Sequence, residues 1–275
     1  DVIFTSADGI TKLPHEIEKY SVANGLTAWV QVPTLSDTAD LDIYMYYNNP
    51  RAKNSEQPHI VWNNNYAGVW HLSEGDSTAT DFYKDSTANR NHGTLTDADG
   101  DSVSANGQLD GAFDFAGDAD YIDGGADASL GITGSLTIST WVSAASYANG
   151  INDGLVSKQD LSSERSYQLV LNAARPQFRV STAGSSWDIG PFQSTELSGG
   201  AHHIVGVFNA GSYAKVFVDG GEKDVTVTTA KSIFNTTGSL SIGRGSIDLI
   251  ATPDYFPDII DQVTVSRVAR TQQWI

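Results

Sequence analysis

The sequence predicts an all-β protein, and three observations carry the prediction. Charged residues make up only 18 % of the chain while 26 of its 275 residues are glycine, a balance poor in helix formers and rich in turn formers. Short apolar runs alternate with a period of two, and almost every break between them holds Gly, Asn, Asp or Ser. No long segment repeats its apolar residues every 3.6 positions. With 40 % apolar residues, the chain can build a sizeable core.

The elements follow in order. The first fifty or so residues hold short strands around Ile3, His15 to Ser21, Leu26 to Pro33 and Leu41 to Asn49. Within them Leu26, Ala28, Val30 and Val32 alternate with Thr27, Trp29 and Gln31. Pro50 to Asn65 is polar and proline-bounded and reads as a linker with slight apolar anchoring from Ile60 to Trp62. From Tyr66 onward strands continue at regular spacing, interrupted by a long polar loop, "DSTATDFYKDSTANRNHG". Many short strands with turn signals argue for a sandwich or jelly roll. The expected division is residues 1–62, a small N-terminal β module with its linker, and residues 63–275, the jelly roll.

The adjacent His202 and His203 invite an active-site reading. They open "HHIVGVF", which alternates as a strand and turns at "NAGSY" into "AKVFVDG". Neighbouring strand residues point to opposite faces, so the two imidazoles do not form one chelating or proton-transfer pair. They read as hydrogen-bonded strand residues.

Composition excludes several classes. A net charge of −17 and a pI near 4.4 disfavour nucleic acid and anionic membranes as partners. They suit an extracellular protein, a saline habitat or cation binding. The absence of cysteine removes disulfides and thiolate metal sites. No run of 18 apolar residues spans a membrane. The chain starts at Asp1 and reads as a mature or trimmed fragment of a longer multidomain protein.

In this order, "GVWHLSEG", "KDSTANRNHGTL", "GQLDGAFDFAGDADYIDGG", "LTISTWVSA", "AHHIVGVFNAGSYAKVFVDG" and "DIIDQVTVSRVARTQQWI" resemble a LamG-like domain, the concanavalin A-like lectin/glucanase jelly roll of two antiparallel sheets. The resemblance covers roughly Tyr66 to Ile275. "DVIFTSADG", "LPHEIEKY", "TAWVQVP" and "IYMYYNN" resemble a bacterial domain of unknown function that often precedes LamG-like domains. Its members have further strands before this point, so the module is expected to be incomplete at its start.

Several residues are candidates for a site. Asp97, Asp99 and Asp101 follow the i, i+2, i+4 spacing of calcium loops. Ser102 and Gln108 stand where a complete loop needs Gly and Glu, so a solvated acidic turn is the competing reading. Asp118, Asp120 and Asp123 do not share one strand face. Asp85, Asn89 and Asn91 read as loop residues that bond backbone and stiffen an irregular crossing. Asp261 lies among Ile259, Ile260, Val263 and Val265, where a lone carboxylate is costly unless paired, metal-bound or bonded to backbone N–H groups. The resemblance implies a structural Ca²⁺ held by Asp261, by the carbonyl oxygen of His71 and by Gly117. Trp187, beside Asp188 in a polar glycine-containing segment, is the candidate sugar platform, since a sugar's C–H face stacks on indole. Tyr147, Tyr255 and Phe256 are weaker candidates of the same kind.

Catalytic signatures are missing. There is no Gly-x-Ser-x-Gly elbow, and the jelly-roll glucanase string Glu-x-Asp-x-x-Glu does not occur. The strand where that chemistry belongs reads "LTISTWVSA", with Ser and Thr at its polar positions. The expected function is noncatalytic binding of an extracellular polysaccharide or surface glycan, with calcium bracing the fold. The alternatives are a cell-surface adhesive or structural protein making protein–protein contacts, and a polysaccharide-degrading enzyme with an unrecognised site.

Overall fold

Alternating residues pair as the turn chemistry between them allows. In the computed structural model, which describes residues 1–23, 25–97, 99–147, 151–160, 164–245 and 255–275, the chain forms two compact units. One comprises Asp1–Asn64 with Ser86–Ala88, the other Asn65–Asp85 with Asn89–Ile275.

In the first unit β1 (Ile3–Ser6) lies between β2 (Lys12–Leu13) and β5 (Ile43–Tyr46) in an antiparallel sheet. The β1–β2 turn is tied by Asp8, whose carboxylate accepts hydrogen bonds from Ile10 N (2.8 Å), Thr11 N (2.8 Å) and Ser6 Oγ (2.8 Å). β3 (His15–Ser21) and β4 (Gly25–Val30) form a hairpin. The linker is anchored at its end, where Ile60 to Trp62 were expected to hold it. It forms a short helix, α1 (Pro58–Val61), and then buries Trp62, whose ring meets Trp29 edge-on at 5.0 Å and whose Nε1–H donates to Glu16. Indole burial with its N–H satisfied explains why this polar stretch folds back. Every residue of β5 is exposed, and no strand pairs with its second edge among the described residues.

The second unit is a sandwich of two antiparallel sheets. One runs β17 (Gly221–Val227), β16 (Tyr213–Val218), β15 (Gly200–Asn209), β11 (Leu136–Ala144), β19 (Ile259–Ser266), β9 (Gly111–Asp114) and β8 (Val103–Asn106), with β6 (Tyr66–Trp70) also paired to β19. The other runs β14 (Arg175–Val180), β13 (Arg165–Asn172), β12 (Ile151–Gln159), β18 (Leu240–Ile242), β10 (Tyr121–Gly125) and β7 (Thr94–Thr96). This is the all-β jelly-roll architecture expected from the sequence. Alternate residues of each sheet meet in one core, including Ile138 and Val142 of β11, Ile204 and Phe208 of β15, and Tyr167, Leu169 and Phe178 of the facing sheet. Gly206 is required at the contact, because a Cβ there would lie 2.3 Å from the Phe178 ring.

Two local features set up the sites. Within the second unit Asp85, Asn89 and Asn91 are tied to β6: the Asp85 carboxylate accepts Val69 N (3.0 Å) and Asn91 N (2.8 Å), and Asn89 and Asn91 side chains donate to Ala67 O (3.0 and 2.9 Å). These side chains bond backbone as expected, but the backbone is largely that of β6. In β19 both Ile260 and Val263 face the core, so Asp261 and Gln262 between them form a bulge, with Gln262 at φ +52°. The bulge places Asp261 opposite Trp141, on the sheet face away from the core.

Candidate functional site

The Trp187 loop is built from the edge of the six-stranded sheet. After β14 the chain turns and runs back beside it, Ile189 bridging to Val180 and Phe192 to Gln177. Ile189 enters the core, which leaves Trp187 and Asp188 at the loop's outer end. Asp188 is exposed and fixes the loop, accepting Thr182 N (2.7 Å), Thr182 Oγ1 (2.6 Å) and Ser186 Oγ (2.5 Å). Partial burial opposes its ionisation, but these donors outweigh it and hold the carboxyl below its usual range. The Trp187 indole is half-buried, with the Arg165 guanidinium 6.0 Å from its ring centroid. Its Nε1–H is buried and has no hydrogen-bond partner among the described residues. Trp187 and Asp188 are therefore adjacent but have different tasks, one presented and one holding the presentation.

The other aromatic candidates divide. Tyr147 and Phe256 are core residues, 4 % and 1 % exposed, so neither is a platform. The Tyr147 hydroxyl donates to Gly200 O. Tyr255 is half-buried beside Tyr121.

The acidic loop gains a member that spacing alone did not supply. The register Tyr121↔Thr96 between β10 and β7 places Asp120, just before β10, beside Asp97, just after β7. Asp97, Asp99, Asp101 and Asp120 each offer one oxygen, and these oxygens all lie within 4.8 Å of one another. Asp120 is buried and accepts Ser102 Oγ at 2.6 Å, so the residue standing where a calcium loop has Gly anchors the cluster. Desolvation pushes Asp101 up to about 6, and a hydrogen bond with Asp99 and the charges of Asp118, Asp99 and Asp120 add to it. Carboxylates that raise one another's pKa are relieved by a cation, and an all-oxygen set is the chemistry of Ca²⁺.

The three residues of the calcium site implied by resemblance are placed differently. Asp261 is 2 % exposed and its Oδ2 accepts Gln108 N (2.7 Å) and Leu109 N (3.4 Å). Its Oδ1 is buried, with no hydrogen-bond partner among the described residues. His71 lies in the same neighbourhood, its Nδ1 2.9 Å from Gln262 Oε1. Gly117 is seated against Pro257, four residues before Asp261.

His202 and His203 do diverge. His202 Nδ1 lies 2.8 Å from Asp219 Oδ2 and its Nε2 3.0 Å from Ser198 O. His203 Nε2 lies 2.7 Å from Ser139 Oγ, and its ring packs on Trp141. Burial lowers the His203 pKa, against the pull of Asp219. Each imidazole is committed to a separate partner on a separate sheet face.

Residues 1–93 match a domain of unknown function, DUF2341. No curated protein matches. Among solved structures the chain is similar to the binding domain of Paraclostridial Mosquitocidal Protein 1, with 14 % identity, TM-score 0.58, and 76 % of this chain and 50 % of that one covered. It is similar to domain 4 of AbnA, a GH43 extracellular arabinanase from Geobacillus stearothermophilus, in complex with arabinotriose, with 16 % identity, TM-score 0.55, and 76 % and 95 % covered. It is also similar to the botulinum neurotoxin serotype D ligand binding domain in complex with N-acetylneuraminic acid, with 9 % identity, TM-score 0.55, and 78 % and 50 % covered. At these identities what is shared is the fold, and the match spans about half the length of the two toxin domains. Residues 115–275, more than half of the sequence, match the concanavalin A-like lectin/glucanases superfamily, and the chain belongs to that family.

Proposed function

We propose that the chain is a noncatalytic module that recognises an extracellular polysaccharide or surface glycan. The observation that carries the reading is the Trp187 loop: an indole in a loop that Asp188 ties at the sheet edge, with Arg165 6.0 Å from its ring and an N–H that no described residue accepts. Indole with neighbouring polar groups is the usual chemistry of sugar recognition. The arabinanase domain and the neurotoxin domain, both similar in fold, carry sugars in their structures. A single platform of this size gives weak affinity, which suits multivalent use in a longer protein. Calorimetric titration of glycans selected on an array tests the reading. Trp187→Ala is expected to weaken binding at least tenfold, about 1.4 kcal/mol, and unchanged affinity would remove Trp187 from the site. Release of reducing ends from any polysaccharide would overturn the noncatalytic assignment.

Calcium belongs to this proposal, with the Asp97, Asp99, Asp101 and Asp120 cluster as the better-furnished position than the Asp261, His71 and Gly117 set. Ca²⁺ added to metal-free protein is expected to raise the melting temperature, and Asp120→Asn to abolish the rise. An equal rise in the variant would move the ion elsewhere.

The first unit favours a second reading, adhesion through protein contacts. It exposes Ile10 (82 %), Val22 (95 %) and Tyr47 (67 %) and has a hollow of about 620 Å³ lined by Val2, Ile17, Tyr20, Leu26 and Met45 among others. No helix among the described residues is long and apolar enough to cross a membrane.

A further inference from the structure

The first unit sets an open strand edge beside an apolar hollow, and β5 belongs to both. Phe4 of β1 is paired in register with Leu13 of β2 and with Met45 of β5, so these three side chains share one face of the sheet. Phe4 and Leu13 are buried on that face. Toward β5 the apolar lining continues into the hollow of about 620 Å³, which is walled by Val2, Met45 and Tyr47 and, from the β3–β4 hairpin, by Ile17, Tyr20 and Leu26. Among the described residues lining it, Asp1 alone is charged. The unit therefore has a buried core at β2 and an open apolar face at β5, where Met45 and Tyr47 are exposed.

The second edge of β5 has no strand beside it among the described residues. A strand laid antiparallel there bonds main chain to main chain along Ile43–Tyr46. Every second side chain of that strand falls on the Met45 face, the face that lines the hollow. One extended segment thus engages both features. Charge decides what its ends carry. Asp37, Asp40 and Asp42 lead into β5 and are exposed, and no Lys or Arg occurs between Lys19 and Arg51. The C-terminal end of an antiparallel segment lies beside the N-terminal end of β5, where these carboxylates stand. The net charge of −17 attracts a cationic partner to them and sets two copies of this chain against each other.

We propose that the β5 edge and the hollow are the docking site for one extended segment of another protein, with apolar residues at alternate positions and basic residues at its C-terminal end. The site rests on the protein-contact reading of the first unit and uses none of the Trp187 loop. The full chain in dilute solution, titrated with the peptides TVTVTVKK, TVTVTVEE and TVTPTVKK and followed by ¹H–¹⁵N spectra, tests it. TVTVTVKK is expected to shift the amides of Ile43–Tyr46 together with those of Ile17 and Leu26. TVTVTVEE is expected to bind at least tenfold more weakly. TVTPTVKK, whose proline breaks the ladder, is expected to leave the β5 amides in place. The double variant Asp40→Lys, Asp42→Lys changes exposed side chains only and is expected to reverse the order of the first two peptides. Shifts at Ile17 and Leu26 that TVTPTVKK produces as strongly as TVTVTVKK, with Ile43–Tyr46 unmoved by either, would overturn strand docking and leave apolar protein contact standing. Equal binding of TVTVTVKK and TVTVTVEE would overturn the basic partner. A chain that forms dimers through β5 under these conditions, read by light scattering, would overturn the foreign strand. No shift from any of the three peptides would overturn the docking site and the protein-contact reading together.

Discussion

Burial pushes the Asp261 carboxyl up to about 6, although N–H donors at Gln108 and Leu109 and the nearby His71 pull it back. Unfolded, the same group titrates near 3.8. The native state therefore holds a proton that the unfolded chain has released between these values. Stability falls as pH rises from about 4 through about 6 and stays lower above, by about 3 kcal/mol from this group. Asp258, pushed up to about 6 by burial and by Asp114, acts in the same direction. Asp261→Asn removes only the first contribution. The stability of the variant relative to the parent is expected to rise by about 2–3 kcal/mol from pH 4 to pH 7 in urea titrations; a constant difference would show that Asp261 is ionised at both. A lone acid amid Ile259, Ile260, Val263 and Val265 was legible as a buried carboxyl from sequence alone. Its backbone donors were not, because Gln108 and Leu109 lie 153 and 152 positions away.

Strand periodicity was the most legible feature of the chain, and it explains why the hairpin from His202 to Val218 and the core faces of β11 and β15 follow the sequence closely. Glycines within strands say more than alternation does. Gly206→Ala would drive a methyl into the Phe178 ring between the two sheets. It is expected to cost about 1–3 kcal/mol, measured by denaturant unfolding; a cost within 0.5 kcal/mol would mean the sheets separate freely there. What alternation leaves open is which strand pairs with which. Asp120 joins Asp97, Asp99 and Asp101 only because β10 pairs with β7 in one register. A shift by one residue would send Asp120 to the other face. The bulge at Gln262 is equally silent in sequence, since a two-residue outward step between Ile260 and Val263 looks like a lapse in pattern.

For the molecule as a whole, net charge lies far from zero. At −17 the acidic groups repel one another, most strongly where Asp97, Asp99, Asp101 and Asp120 converge. Salt is expected to raise the melting temperature by several degrees between 20 and 500 mM NaCl, a range across which the screening length falls from about 20 to about 4 Å. A flat response would mean bound cations already neutralise the cluster. The polar stretch before Tyr66, read as a linker anchored from Ile60 to Trp62, takes that anchor from Trp62, which packs on Trp29. The bare rim of β5 has a practical outcome. Its backbone amides and carbonyls run from Ile43 to Tyr46 with Tyr44, Met45 and Tyr46 uncovered and neither lysine nor proline among them. Concentrated solutions of this chain should cross-seed through that rim, and a single lysine in place of Tyr44 is the gatekeeper that would keep them clear.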